Sequence, residues 1–251
     1  MSPAESVPTP ADPPVIREAH AAGWSHRHRD VSGGWLRPTV FGAVDGLVTN
    51  AALIAGVGGV GVSSHTIVLT GLAGLVAGAF SMGTGEYVSV TNQNELVQAE
   101  VAVEKRMHAQ FPAAEQAELT ATFRSYGADT ETAARMAAAV SADPATALAF
   151  HTREELGVDP DDLPSPFVAG GASLAAFSLG ALLPLLPYLL GLANLLVSML
   201  ITAVALTAGG AAVGRLTGRS LVRSGLRQLM LGAFAVAVTF LVGRLIGSPV
   251  G

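Results

Sequence analysis

Asp45, His65 and Glu86 are the only ionisable side chains between Pro38 and Asn94, in an otherwise apolar stretch. An ionised group at the centre of a membrane helix costs about 2.5–3.5 kcal/mol, so one that is retained there commonly serves an ion or a proton. Asp45 stands in the segment Phe41-Gly42-Ala43-Val44-Asp45-Gly46-Leu47-Val48-Thr49-Asn50. It lies seven residues past Pro38, about 10 Å along a helix at 1.5 Å per residue. Gly42, Ala43 and Gly46 would let another helix come close, and Thr49 shares the face of Asp45 one turn on. A hydrogen bond made for packing alone is the competing reading, although asparagine would do that at lower cost. The next apolar stretch holds Ser81-Met82-Gly83-Thr84-Gly85-Glu86-Tyr87. Met82 and Glu86 are four apart and share a face. Counted from the same end of the spans, Met82 and Asp45 fall at similar depth. A carboxylate with a thioether suits a divalent transition ion better than Mg²⁺ or Ca²⁺, which take all-oxygen shells. Gap-filling by Met82 and contact of Glu86 with headgroup water are the plain alternatives.

A second group of donors follows in a charged, alanine-rich stretch. Glu100 and Glu104 are one helical turn apart, with Met107 and His108 one turn further on. Glu115 and Glu118 share a face of the next helical segment, and Glu154-Glu155 closes another, with His151 one turn back. Carboxylates from several helices with interspersed His and Met could form an oxygen-rich metal cluster. They could equally be the solvated face of an acidic helical domain.

The elements that must position these groups follow from charge and hydropathy. Half of the 251 residues are hydrophobic and only 13% are charged, against about 25% in a soluble domain. The mean hydropathy is +0.49. Five apolar helices are predicted, near 38–61, 65–90, 166–187, 190–213 and 226–246. Each approaches or exceeds the ~20 residues that cross a bilayer. The expected fold is therefore an all-α, polytopic membrane protein with a helical insert between spans two and three. Residues 1–37 read as a disordered tail, 38–91 as spans one and two, 92–163 as the insert and 164–248 as spans three to five. The tail lacks the apolar core of a signal peptide. Its His26-Arg27-His28-Arg29 run is a weak candidate for metal or lipid contact.

Within the insert, 92–110 has no breaker and should continue the second span. Pro112 suits the first turn of a helix ended by Gly127. Asp129 or Thr130 can cap a third helix, and Asp143-Pro144 opens a fourth that stops at Gly157. Lys and Arg collect in the tail, the insert and the connection between spans four and five, leaving only Arg244 of the 14 on the other side. The bias of basic residues towards the cytoplasm then places the N-terminus and the insert inside.

Several function classes are excluded or disfavoured. There is no cysteine, so disulfides, thiolate ligation and cysteine nucleophiles are absent. The net charge of −5 disfavours a nucleic-acid partner. No phosphate-binding loop, His-Glu-x-x-His or nucleophile elbow supports an enzyme, and no resident cofactor is implied.

The ordered set Asp45-Gly46-Leu47-Val48-Thr49, Ser81-Met82-Gly83, Glu86-Tyr87-Val88-Ser89-Val90 and Glu154-Glu155-Leu156-Gly157 resembles the vacuolar iron transporter family over about residues 35–248. The resemblance implies a homodimer in which the first spans line a path between subunits. It implies Asp45 and Met82 as metal ligands and transport of Fe²⁺ and Mn²⁺ coupled to proton counterflow. It also implies a cytoplasmic domain that gathers ions through Glu104, Glu115, Glu118 and Glu155. Met107 falls where the family pattern allows another Glu, and Glu100 is its neighbouring substitute. Pro38 and Gly74 stand where eukaryotic members carry further acids, and His151-Thr152 replaces a Met-Met pair. The expected function is export of Fe²⁺ or Mn²⁺ from the cytoplasm in exchange for protons, with Co²⁺ or Zn²⁺ as further possible ions. The partners are then metal ions, protons, membrane lipid and a second copy of the chain. The membrane would be the cell membrane in a bacterium and a vacuolar-type membrane in a eukaryote. The alternative is a membrane-anchored protein that binds or senses divalent metal without moving it.

Overall fold

Small residues set the first helix crossing. Helix α1 (Leu36–Gly58) presents Gly42 and Gly46 to helix α6 (Pro166–Leu189). A Cβ at Gly42 would sit 2.7 Å from the Ser173 carbonyl oxygen, and one at Gly46 would strike the Phe177 carbonyl. Gly180 of α6 meets the Ala43 backbone in return. Replacing either partner's hydrogen by a methyl would force the backbones apart. We expect Gly46→Ala to lower the Tm of the detergent-solubilised protein by several degrees. Gly209→Ala, where a Cβ meets nothing within 4 Å, should leave Tm unchanged or raise it, because alanine is the better helix former. Equal Tm values for the two variants would contradict this packing account.

The structure, a computed structural model, describes residues 34–247. The tail proposed for 1–37 lies outside the described residues up to residue 33, as does its His/Arg run, while Leu36 and Arg37 open α1. Helix α2 (Ser64–Gln110) runs 47 residues without interruption, about 70 Å at 1.5 Å per residue. Ser63 caps its start by accepting from the Thr66 amide. Helices α3 (Pro112–Ser125), α4 (Thr130–Ser141) and α5 (Pro144–Leu156) form the insert. Helices α7 (Leu195–Leu216) and α8 (Leu221–Gly247) complete the chain. Five of these helices, α1, α2, α6, α7 and α8, are long and apolar enough to cross a membrane. No strand occurs among the described residues.

Helix α6 is the hub of the membrane part, packing on both α1 and α2. Phe177 and Ala181 bury against Ala79, with Met82, Leu75 and Leu174 around them. A second cluster joins Ile54, Ile67, Leu185 and Tyr188. Buried polar groups tie the helices at fixed points. Asn50 donates to the Ala181 carbonyl at 2.5 Å, and Ser198 to that of Pro184, also at 2.5 Å. The outward faces of α7 and α8 carry exposed Leu196, Leu200, Val204, Phe234 and Leu245, as lipid-facing surfaces should.

Three boundaries depart from the sequence reading. Pro184 and Pro187, expected near a break, lie inside α6, which continues to Leu189. Each lacks the N–H that would bond the carbonyl four residues back, Gly180 and Leu183 respectively, and the helix continues because neighbouring helices hold these buried turns. The next span starts at Leu195 rather than near 190, because Gly191 takes φ +80° and Asn194 caps α7 through the Leu196 and Val197 amides. The last begins at Leu221, five residues before Leu226. Gly218 (φ +67°) ends the preceding turn, and the Ser220 hydroxyl accepts from the Arg223 amide.

The insert folds as its caps direct. Asp129 accepts from the Glu131 and Thr132 amides, and Asp143 from that of Thr146. Gly127 and Gly157 take the left-handed conformations (φ +96° and +65°) that stop α3 and α5. Leu119, Phe123, Ala133 and Ala137 form its core, with Val140 and Phe150 against them.

Candidate metal centre

The last turns of α2 bring Glu104 and His108 onto one face, four residues apart. The Phe111-Pro112 turn reverses the chain so that Glu115, in the first turn of α3, comes back against them. Helix α5 supplies His151 from its buried side. One donor atom from each of Glu104, His108, Glu115 and His151 lies within 4.8 Å of all the others. His151 Nδ1 is 3.4 Å from Glu104 Oε1 and 3.4 Å from Glu115 Oε2. His108 Nε2 stands 3.8 and 3.9 Å from the same two oxygens. Glu155 Oε1 reaches to 3.5 Å from His151 Nδ1 at the solvent edge.

These separations are too long for N–H···O bonds, which fall at about 2.7–3.2 Å. His108 Nε2 and Glu115 Oε2 are both buried without a hydrogen-bond partner. Glu115 and His151 are only 4% and 2% exposed. Donors that converge at this spacing, two of them buried without a hydrogen-bond partner, could hold a cation between them.

Electrostatics agree with the geometry. Burial, then the charges of Glu155 and Glu115, push the Glu104 carboxyl up to about 7. Burial, followed by its neighbour His151, holds His108 below the ordinary histidine value, which keeps its lone pair free near neutrality. The two imidazoles meet edge to face, centroids 4.6 Å apart.

Of the other insert residues singled out in the sequence, Glu100, Met107 and Glu118 are exposed and outside this group of four. Glu100 is one turn nearer the membrane than Glu104. Thr152 is fully buried and donates its hydroxyl to the Leu148 carbonyl, so it is engaged within its own helix. His108 is the donor that the sequence reading left out of its ligand set. Its i+4 spacing from Glu104 was the available signal.

In the membrane part, Asp45 is half-buried and accepts from the Thr49 hydroxyl at 3.3 Å. Met82 packs against the Ala79, Phe177 and Ala181 cluster, and Glu86 is half-buried one turn on. All three lie on the two helices, α1 and α2, that α6 clamps.

Five spans, a long second helix extending into a helical insert, and a convergent carboxylate–imidazole group call for comparison with known proteins. The profile of the VIT family, the vacuolar iron transporters, matches residues 36–244. The chain belongs to the VIT family. It is 30% identical over 218 residues to vacuolar iron transporter 1 of Arabidopsis thaliana, covering 86% of this chain and 87% of that one. It is 37% identical over 216 residues to vacuolar iron transporter homolog 2 of Oryza sativa subsp. japonica (84% and 90%). A vacuolar iron transporter of Acanthamoeba castellanii is 33% identical over 231 residues (89% and 83%). This VIT-family chain is accordingly a multi-pass membrane protein of a metal-ion transporter family.

The raised Glu104 value gives the VIT-family insert a pH signature. In the unfolded chain the carboxyl titrates near 4.5, and in the native protein near 7. Between those values the native state holds the Glu104 proton that the unfolded chain has lost. The Glu104 contribution to the stability of the metal-free protein therefore falls as pH rises and is gone above about 7, while His108, held below 6.5, contributes in the opposite sense below that value. Saturating divalent metal should abolish this slope by supplying the positive charge that the proton supplied. Thermal melts from pH 5 to 8, with and without metal, check it. A metal-free Tm that still climbs with pH above 6.5, where only the Glu104 contribution is changing, would contradict the assignment.

Proposed function

We propose that this VIT-family protein is a secondary transporter that moves Fe²⁺ or Mn²⁺ out of the cytoplasm in exchange for protons. It would act as a homodimer with the N-terminus and insert on the cytoplasmic side. The observation that carries the reading is the buried convergence of Glu104, His108, Glu115 and His151 on the extension of a membrane helix. The same unbroken α2 carries Met82, 26 residues before His108 and so about 39 Å along the helix. An ion gathered by the insert is thus linked by one rigid element to the candidate ligands in the membrane.

Two further features support the reading. Asp45 is only half-buried in a single chain, and a carboxylate facing lipid is costly. A second copy covering α1 would remove that cost and give Asp45 a partner across a shared path. Tail, insert and span-four connection together hold 13 of the 14 Lys and Arg residues, which favours their cytoplasmic placement. The ion's loss of hydration would be offset by the Asp45 carboxylate and the Met82 thioether, with Glu86 at the mouth. Proton return fits a site in which burial and neighbouring charge push the Glu104 carboxyl up to about 7.

Selectivity tests the membrane half. Met82→Leu keeps the volume and removes the soft donor. We expect Fe²⁺ and Co²⁺ uptake into vesicles to fall several-fold more than Mn²⁺ uptake, since sulfur favours the later ions of the series. Equal losses for all three would make Met82 a packing residue.

A further inference from the structure

We propose that His108 is a metal ligand, and that His108 and His151 together make the insert a single-ion, four-coordinate N₂O₂ site selecting Fe²⁺, Co²⁺ or Zn²⁺ over Mn²⁺ and Mg²⁺. This rests on the reading that the insert binds the transported ion, and adds how many ions it holds and which ones it prefers.

The coordination number follows from the four donors that converge, and the His–Glu separations support it. Four atoms tetrahedrally disposed about one ion at roughly 2.0–2.2 Å lie about 3.3–3.6 Å from each other. The His151–Glu104 and His151–Glu115 separations are 3.4 Å, and the two from His108 are 3.8 and 3.9 Å. Small rotations of the Glu104 side chain or of the His108 ring, 15% and 16% exposed, close the difference. The group draws on three different helices, α2, α3 and α5, so its geometry is set by the fold of the insert rather than by one flexible segment. Glu155, 42% exposed at the rim, stands outside the four.

The donor types carry the selectivity. Two imidazoles and two carboxylates suit Zn²⁺, Co²⁺ and Fe²⁺, whereas Mn²⁺ and Mg²⁺ favour six oxygens. Neither His108 Nε2 nor Glu115 Oε2 is committed to a hydrogen bond, so these two donors are free to bind an ion. His108 also faces a cleft of about 620 Å³ between α2 and α5, bordered by Lys105, Thr152 and Asp161. An ion entering there would meet His108 first, which gives this residue a role in admission as well as ligation.

The test uses Co²⁺ as the probe, added to the full-length protein in detergent in an Asp45→Asn background to silence the membrane carboxylate. Four-coordinate Co²⁺ gives intense visible absorption bands, and six-coordinate Co²⁺ gives weak ones. We expect intense bands saturating at one ion per chain, insensitive to excess Mg²⁺ and displaced by Zn²⁺. His108→Ala should remove the intense bands and weaken Co²⁺ binding by roughly tenfold or more, with Mn²⁺ binding changed far less. Weak bands in the background protein, or intense bands that survive His108→Ala, would overturn the proposal while leaving the insert an ion-binding domain. No Co²⁺ or Mn²⁺ binding at all would overturn both readings. The background spectrum decides the coordination number even if the His108 variant fails to fold.

Discussion

Asp45→Asn should abolish metal transport while leaving the protein in the membrane and folded. The substitution keeps the size of the side chain and a hydrogen bond to Thr49, whose hydroxyl lies 3.3 Å from the carboxylate. It removes the negative charge that offsets the desolvation of a divalent ion. Losing about 3 kcal/mol of that stabilisation corresponds to a fall of about 100-fold in rate. Because Gly42 and Gly46, which make the α1–α6 contact, are untouched, expression and Tm should match the wild type. Vesicle uptake of Fe²⁺ and Mn²⁺ checks the expectation, and wild-type rates in the variant would remove Asp45 from the pathway.

The second large effect is one of opposite signs at a single residue. Glu115 is buried beside Glu104, His108 and His151, with one oxygen lacking any hydrogen-bond partner. In the metal-free protein its charge opposes that of Glu104, which titrates at about 7 partly for this reason. Glu115→Gln should therefore raise the Tm of the metal-free protein above pH 7, where the repulsion is largest. The same change removes a ligand, so the rise in Tm on adding metal should shrink or vanish. For the wild type that rise corresponds to about 2.7 kcal/mol at a free metal concentration 100 times the Kd. A solvated acidic surface predicts neither effect. If the variant is less stable without metal and keeps the wild-type response to it, Glu115 is not part of a metal centre.

What was legible in the sequence divides along physical lines. Membrane spans are recorded locally, as runs without charge, and all five reappear as helices. The caps of the insert are equally local. Asp129 and Asp143 bind amides two or three residues away, and Gly127 and Gly157 act through their own φ. Span ends were less legible. Pro184 and Pro187 each remove one bond to the turn before them, but burial among neighbouring helices keeps α6 helical to Leu189, and that support is not local in the sequence. The metal centre mixes both cases. Glu104 and His108 are neighbours through the helical repeat, but their approach to His151 depends on α5 packing against α2. Nothing within four residues of His151 reveals that contact. The same limit explains why Glu118, equal to Glu115 in the sequence, is exposed while Glu115 is buried. One turns towards the end of α2 and the other does not.

The central claim is transport, as distinct from metal binding by a membrane-anchored domain. The most direct measurement records lumenal metal and lumenal pH together in liposomes holding the pure protein and no other component. Adding Fe²⁺ outside should produce a rise in lumenal Fe²⁺ and a matching loss of lumenal protons, both absent from empty liposomes and from Asp45→Asn liposomes. An imposed pH gradient, acidic inside, should accelerate the metal flux. Saturable binding of Fe²⁺ to the protein with no metal reaching the lumen, under either pH condition, would contradict the account.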